Sequence, residues 1–179
     1  MKAGIRLISV YIAGFGILLV LTGFGPAVVS DMLPSYYYNK GLTYEQEGRY
    51  DRAEKKFQQA LRRNPVMAKA HLALGAVYLK TGRIEEAETS LLKVIETLPR
   101  AKLWGATYNE TLSMTYNNMG VVEEMRAVKA VYRLDLTAAE THRLESRSFY
   151  QSALEIDPYN YLAGNNLRQL PGQIKITRN

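Results

Sequence analysis

The sequence predicts an all-α chain in which an N-terminal transmembrane helix is followed by a solenoid of helix-turn-helix repeats with an elongated third repeat. Three observations lead there. Gly41-Leu-Thr-Tyr44-Glu-Gln-Glu-Gly48 aligns with Gly75-Ala-Val-Tyr78-Leu-Lys-Thr-Gly82 without a gap. The same offset relates Ala53 to Ala87, Phe57 to Leu91, Ala60 to Val94 and Pro65 to Pro99. A fixed period of this size marks supersecondary units that stack on one another. Next, Leu7 to Val29 holds no charged residue, and it is long enough as a helix to cross a hydrocarbon core of about 30 Å. Finally, Trp104, Tyr108, Leu112, Tyr116 and Met119, then Val121, Met125, Val128 and Tyr132, recur at helical spacing.

The N-terminal run is read as an anchor over residues 1–33, with its helix over 7–29. A helix satisfies its own backbone groups, which lipid cannot do, and Pro26 lies near the far end, where a helix stop is tolerable. The competing reading is a cleaved signal peptide with Lys2 and Arg6 leading Leu7–Leu21. Against it, the apolar run continues past that length, and Val28-Val29-Ser30 is a poor small-x-small cleavage site. Lys2 and Arg6 place the N-terminus in the cytoplasm and the repeats on the extracytoplasmic side, periplasmic in a bacterium. Ser9 with Ala13, and Gly23 with Ala27, have the four-residue spacing that lets two membrane helices approach closely. The connector to Pro34 is short, so Tyr36 and Tyr38 are expected at the membrane interface, where a tyrosine ring is half-buried and its hydroxyl wet.

Each repeat reads as two antiparallel helices, over 35–48 and 51–63, then 68–81 and 84–97. Gly48 and Gly82 end the first helix of each pair, and Asn64-Pro65 and Leu98-Pro99 end the second. Gly41 and Gly75 sit mid-helix at a cost of about 1 kcal/mol each against alanine, which is reasonable where two helices touch. Tyr37, Gly41, Tyr44, Ala53, Phe57, Ala60 and Pro65, and in the second copy His71, Leu74, Gly75, Tyr78, Ala87, Leu91 and Pro99, form a pattern that resembles the tetratricopeptide repeat (TPR) family. Lys40 departs from the expected leucine.

That resemblance implies a concave groove lined by the first helix of each pair. It places Tyr38, Leu42, Glu45 and Gln46 there from the first repeat, and Lys69, Leu72, Ala76, Leu79 and Lys80 from the second. Some family members clamp a peptide's terminal carboxylate with Asn, Lys and Arg. Tyr38, Leu42 and Ala73 occupy the matching positions here, which argues against that clamp and for an apolar helix or extended segment as ligand. The alternative occupant is a C-terminal helix of the same chain.

No proline occurs between Pro99 and Pro158, a gap well beyond one period, so the third repeat carries extra residues. Tyr116-Asn-Asn-Met-Gly120 looks like a first-helix signature and Phe149-Tyr150 through Asp157-Pro158 like the end of a second helix. Helical structure is expected over 102–134, as one helix or as two broken near Asn117–Gly120. Thr137-Ala-Ala-Glu140 is expected to cap the helix that follows. The domain plan is repeats at 34–67, 68–101 and 102–159, a closing helix at 160–170, and a basic tail over 171–179. The long hairpin of the third repeat is a natural docking arm.

Composition narrows the chemistry. There is no cysteine, which excludes disulfides and thiolate chemistry, and two histidines cannot build a multi-histidine metal site. The net charge of +6 is spread among mixed charges, and no groove-entering motif accompanies it, so no nucleic-acid partner is expected. His142 among Arg143, Glu145 and Arg147 reads as a solvated helix face. No nucleophile with a base, metal cluster or phosphate loop is visible, so the sequence predicts neither an enzyme nor a cofactor or small-molecule substrate. The expected function is a membrane-anchored protein-protein interaction module. It is read first as an accessory or scaffold subunit of a multi-subunit membrane complex, with integral membrane subunits as partners and the bilayer engaged by the N-terminal helix. The alternative is a transient assembly factor that binds client proteins in the groove.

Overall fold

The computed structural model describes residues 33–101, 103 and 105–171, together with the backbone of 10–13 and 16–19. Among the described residues seven helices follow one another: α1 (Pro34–Gln46), α2 (Tyr50–Arg63), α3 (Ala68–Lys80), α4 (Ile84–Thr97), α5 (Ala106–Tyr132), α6 (Leu136–Ile156) and α7 (Tyr161–Gln169), with a 3-10 turn at Leu98–Arg100. They pair as α1–α2, α3–α4 and α5–α6, each pair packs on the next, and α7 closes on α6. This is an all-α helical repeat.

The period has a packing cause. A Cβ built on Gly41 would lie 2.4 Å from a Phe57 ring carbon, and one on Gly75 would lie 2.8 Å from Leu91 Cδ2. The two helices of a pair therefore touch where the first offers no side chain and the second a large one. Ala53, Phe57 and Ala60, and Ala87, Leu91 and Val94, are all fully buried at this seam. Gly48 and Gly82 then take φ of +71° and +76° in the turns, a region that costs a residue with a Cβ about 1–2 kcal/mol.

The third pair repeats the seam at longer range. A Cβ on Gly120 would lie 2.4 Å from the Tyr150 ring. Ser146, Tyr150 and Ala153 are fully buried, as Ala53, Phe57 and Ala60 are in the first pair. Gly120 and Tyr150 stand further apart in sequence than Gly41 and Phe57, or Gly75 and Leu91, so the tip of the hairpin carries an insertion. It is shared equally between the arms: α5 runs further past its glycine, and α6 starts earlier before its aromatic, each by the same length. That length is close to two helical turns, about 10 Å on each arm, so both arms keep the same face toward each other. α5 also begins about two turns earlier relative to Gly120 than α3 does relative to Gly75.

Ion pairs bind the repeats to one another. Glu54 on α2 accepts from the Tyr78 hydroxyl at 3.0 Å and from Arg83 at 2.7 Å. Glu88, one period later on α4, accepts two bonds from Arg126 of α5, at 2.6 and 3.1 Å.

Several expectations change. α5 runs unbroken through Asn117–Gly120. The cap of α6 is Asp135, which accepts from the Ala138 backbone N–H at 2.9 Å, so Thr137 already lies inside the helix. α7 opens on Asn160, whose side chain accepts from the Ala163 N–H. The single-pass topology is corrected: among the described residues no helix is long and apolar enough to cross a membrane. Within the expected span, Val10–Ala13 and Gly16–Leu19 pair as antiparallel strands, with Ala13 opposite Gly16. The rest of 7–29, with Ser9, Gly23 and Ala27, lies outside the described residues. An uncharged run serves a buried strand as well as a helix, and the β-branched and aromatic Val10, Tyr11, Ile12 and Ile17 favour the strand. The cytoplasmic N-terminus and the extracytoplasmic placement of the repeats go with the span. So does the membrane-interface role of Tyr36 and Tyr38. Both are half-buried in the repeat; Tyr38 packs against Phe57 at 5.8 Å between ring centroids, and Tyr36 meets the Tyr37 ring edge-on at 5.4 Å.

Candidate functional site

The first helices of the three pairs, α1, α3 and α5, share one face. Tyr38, Leu42 and Glu45 project from it on α1 with spacings of four and three, so they stand one above another. Lys69, Leu72, Ala73 and Ala76 do the same on α3. With Glu110, Thr111, Met114 and Asn118 of α5 they line one cavity of about 230 Å³. Six of the nine residues expected in the groove are therefore brought together. Gln46 and Lys80 line the adjoining depression with Leu42, Glu45 and Tyr50. Leu79 instead packs against the buried core.

The floor is apolar and the rim charged. Leu72 and Ala73 are nearly buried, Met114 is partly exposed, and Glu45, Glu110 and Lys69 stand around them. Burial pushes the Glu45 carboxyl above its ordinary value, while Lys80 pulls it back. Burial also raises the Tyr38 hydroxyl, and the Glu45 charge adds to this. Tyr38 is thus a neutral donor at neutral pH. The groove offers an apolar floor, a phenol and charges of both signs, and its described lining holds Lys69 and Asn118 without an arginine.

The α5 contribution was missed by sequence reasoning. Aligning Gly120 with Gly75 places Met114 on Lys69 and Asn118 on Ala73, so these two were accessible in principle. Glu110 and Thr111 lie in the two extra N-terminal turns of α5 and have no counterpart in the shorter repeats.

The two histidines do different things. His71 is half-buried and its Nε2 lies 3.0 Å from the Pro65 carbonyl, tying α3 to the preceding loop; burial holds its pKa below the ordinary value. His142 is not part of a merely solvated face. Its Nδ1 lies 2.7 Å from Glu123 and 3.4 Å from Glu145. Glu123 is buried, at the position that carries Tyr44 and Tyr78 in the other repeats. One ligand atom from each of Glu123, His142 and Glu145 falls within 4.8 Å of the others. Arg126, 2.7 Å from Glu123, already supplies a cationic partner.

Comparison with known proteins agrees with this architecture. Residues 38–101 match the family model described as tetratricopeptide repeat. The photosystem I assembly protein Ycf3 of Chaetosphaeridium globosum is 22% identical over 146 residues, covering 78% of each chain. Among solved structures, the first TPR of Spaghetti (RPAP3) bound to the HSP90 peptide SRMEEVD superposes with a TM-score of 0.56 at 18% identity, covering 78% of this chain and 91% of that one. The first TPR domain of human RPAP3 gives the same values. At that identity the likeness is one of fold. The paired helices of residues 38–101 thus match the tetratricopeptide repeat in sequence model and in fold.

Proposed function

We propose that this chain is an assembly factor that holds an apolar helix or extended segment of a client protein in the groove formed by α1, α3 and α5. The observation that carries the proposal is the lining itself. Leu42, Leu72, Ala76 and Met114, from three successive repeats, form one apolar floor with a charged rim. Such a surface buries apolar side chains and orients them with a few polar groups. Similarity to a protein named for assembling photosystem I supports the transient reading over the permanent-subunit reading. That second reading leaned on the membrane span and its small-residue face. The peptide bound by the RPAP3 domain does not transfer, since Tyr38, Leu42 and Ala73 stand where an acidic-terminus clamp needs Asn, Lys and Arg.

The test is a photo-crosslinking side chain at Ala76, followed by pulse-labelling and chase in the native cell. An assembly factor yields a crosslinked client that is labelled early and lost during the chase, and Leu42→Glu abolishes it. A companion that persists at constant stoichiometry establishes the permanent subunit instead. No crosslink from Ala76 or Met114 sinks the groove.

A further inference from the structure

The outer face of α2 carries a charge that the fold does not require. Arg52, Lys55, Lys56, Arg62 and Arg63 fall within an arc of about 120° on this helix, along about 16 Å of its length. Asp51 lies at the margin of the stripe. Glu54 is turned toward the second repeat and occupied by Arg83. Among the described residues, none of the five cations makes an ion pair.

The repeats supply an internal control. Arg52, Lys55 and Arg62 correspond to Glu86, Thr89 and Glu96 in the second repeat, and to Glu145, Ser148 and Glu155 in the third. All nine positions are exposed. The architecture asks only for polarity there, and two repeats of three meet it with two carboxylates and a hydroxyl. The positive sign on α2 is a property of this face and not of the fold. Keeping an end of a repeat array soluble also asks for polarity and not for one sign.

The cations are also held in place. Arg63 lies 4.4 Å and Lys56 5.3 Å from the centroid of the Tyr37 ring, and Arg52 lies 5.8 Å from that of Tyr44. Cation–π contacts restrict these long side chains before any ligand arrives, which lowers the entropy lost on binding.

We propose that the outer face of α2 is a docking surface for a Glu- and Asp-rich segment of a partner protein, separate from the groove of the first helices. Charge complementarity selects the ligand. A second copy of this chain is a poor occupant, because it carries the same net charge of +6 and the α4 carboxylates are already paired, Glu86 with Arg83, and Glu96 with Lys93 and Arg100. A single-stranded nucleic acid would want aromatic rings free for base stacking. Tyr37 and Tyr44 are half-buried and covered by the cations themselves.

The experiment uses the full chain and a short fluorescein-labelled peptide of alternating Glu and Ala, followed by anisotropy at low and physiological salt. The critical variant combines Arg52→Glu, Lys55→Thr and Arg62→Glu, the residues that the second repeat already carries at these sites. Its fold is checked by helical circular dichroism. Arg52→Gln with Lys55→Gln and Arg62→Gln is the milder alternative. The proposal expects salt-sensitive binding that the critical variant weakens about tenfold or more, that the glutamine variant weakens less, and that Leu42→Glu leaves unchanged. Three results overturn it: no binding by the parent chain, equal binding by the critical variant, or tighter binding of the parent to a single-stranded oligonucleotide or to phosphatidylserine vesicles than to the peptide.

Discussion

Replacing Gly41 by alanine tests the packing argument at its sharpest. Two effects oppose each other. Alanine is the better helix former by about 1 kcal/mol in a helix interior. Against that, the new methyl would lie 2.4, 2.6 and 2.9 Å from three carbons of the Phe57 ring. Phe57 is fully buried, so the ring has nowhere to turn, and overpacking of this kind costs about 3 kcal/mol or slightly more. The net expectation for Gly41→Ala is a loss of about 2 kcal/mol, or a Tm lower by about 4–8 °C for a chain of this size. Gly75→Ala meets a softer obstacle. Its closest approaches are 2.8 Å to Leu91 Cδ2 and 3.0 Å to Leu91 Cγ, longer than those at Gly41, so the helix-forming gain offsets more of the cost and the loss should be smaller. The structure also contains the rescue, since the second repeat runs with leucine where the first has phenylalanine. Phe57→Leu alone leaves a void and destabilises, but combined with Gly41→Ala it should recover more than about 1 kcal/mol of the sum of the single losses, as a double-mutant cycle would show. Urea unfolding of the four proteins is the assay. Gly41→Ala as stable as the parent, or Gly75→Ala the worse of the two, would refute the claim that close approach at the glycine sets the seam.

Other perturbations have equally definite outcomes. Arg126→Met should cost about 3 kcal/mol, because it leaves the buried Glu123 carboxylate with His142 as its remaining partner and takes the cation from Glu88 as well. Glu88→Gln should cost only about 1 kcal/mol, since that side of the pair is partly solvated; urea titration separates the two. The hydrogen bonds from Arg126 hold the Glu88 carboxyl below its ordinary 4.5. Its contribution is therefore full above that value and is lost as the pH falls through the lower folded one, and the stability gap between the parent and Glu88→Gln should close on acidification. Glu45 has the opposite sign. Burial raises its carboxyl, so ionisation weakens the fold at neutral pH, and Glu45→Gln should leave stability equal or slightly higher there. Leu134 takes φ of +61° at the hairpin tip, where the other repeats use glycine. Leu134→Gly should raise Tm by about 1–4 °C as the left-handed strain is relieved, and an unchanged or lower Tm would mean that the exposed leucine makes a contact worth the strain.

What the sequence made legible follows from where the physics repeats. Helices α1 to α4 were visible to within two residues because glycine, aromatic and proline recur at one period, and each has a steric reason to recur. The third pair was visible in outline from Gly120, Tyr150 and Pro158. Its proportions were not, because two-turn insertions leave the helical pattern unchanged and give no composition signal. The N-terminal stretch failed for a different reason. Val10–Ala13 and Gly16–Leu19 lie in an uncharged run whose hydropathy does not separate a helix from paired strands.

The candidate site divides along the same line. Tyr38, Leu42, Glu45, Lys69, Leu72 and Ala76 were legible because the resemblance to the TPR family implies which helix face lines the groove. Glu110 and Thr111 were not, since they occupy turns that the shorter repeats lack. The His142 cluster was misread because its decisive partner, Glu123, lies on another helix, far away along the chain; local spacing could show only Glu145. The basic stripe of α2 shows the limit most clearly. Its five cations were in plain view, yet along the chain they look like ordinary mixed charge. They gain meaning only when each is set beside the residue at the same site in the next two repeats, where Arg52 meets Glu86 and Glu145, and Arg62 meets Glu96 and Glu155. A repeat protein holds several solutions to one packing problem, so a residue that departs from the others at an exposed site cannot be there for the packing. That comparison needed the two-turn insertions to be placed first, and so the structure had to precede it.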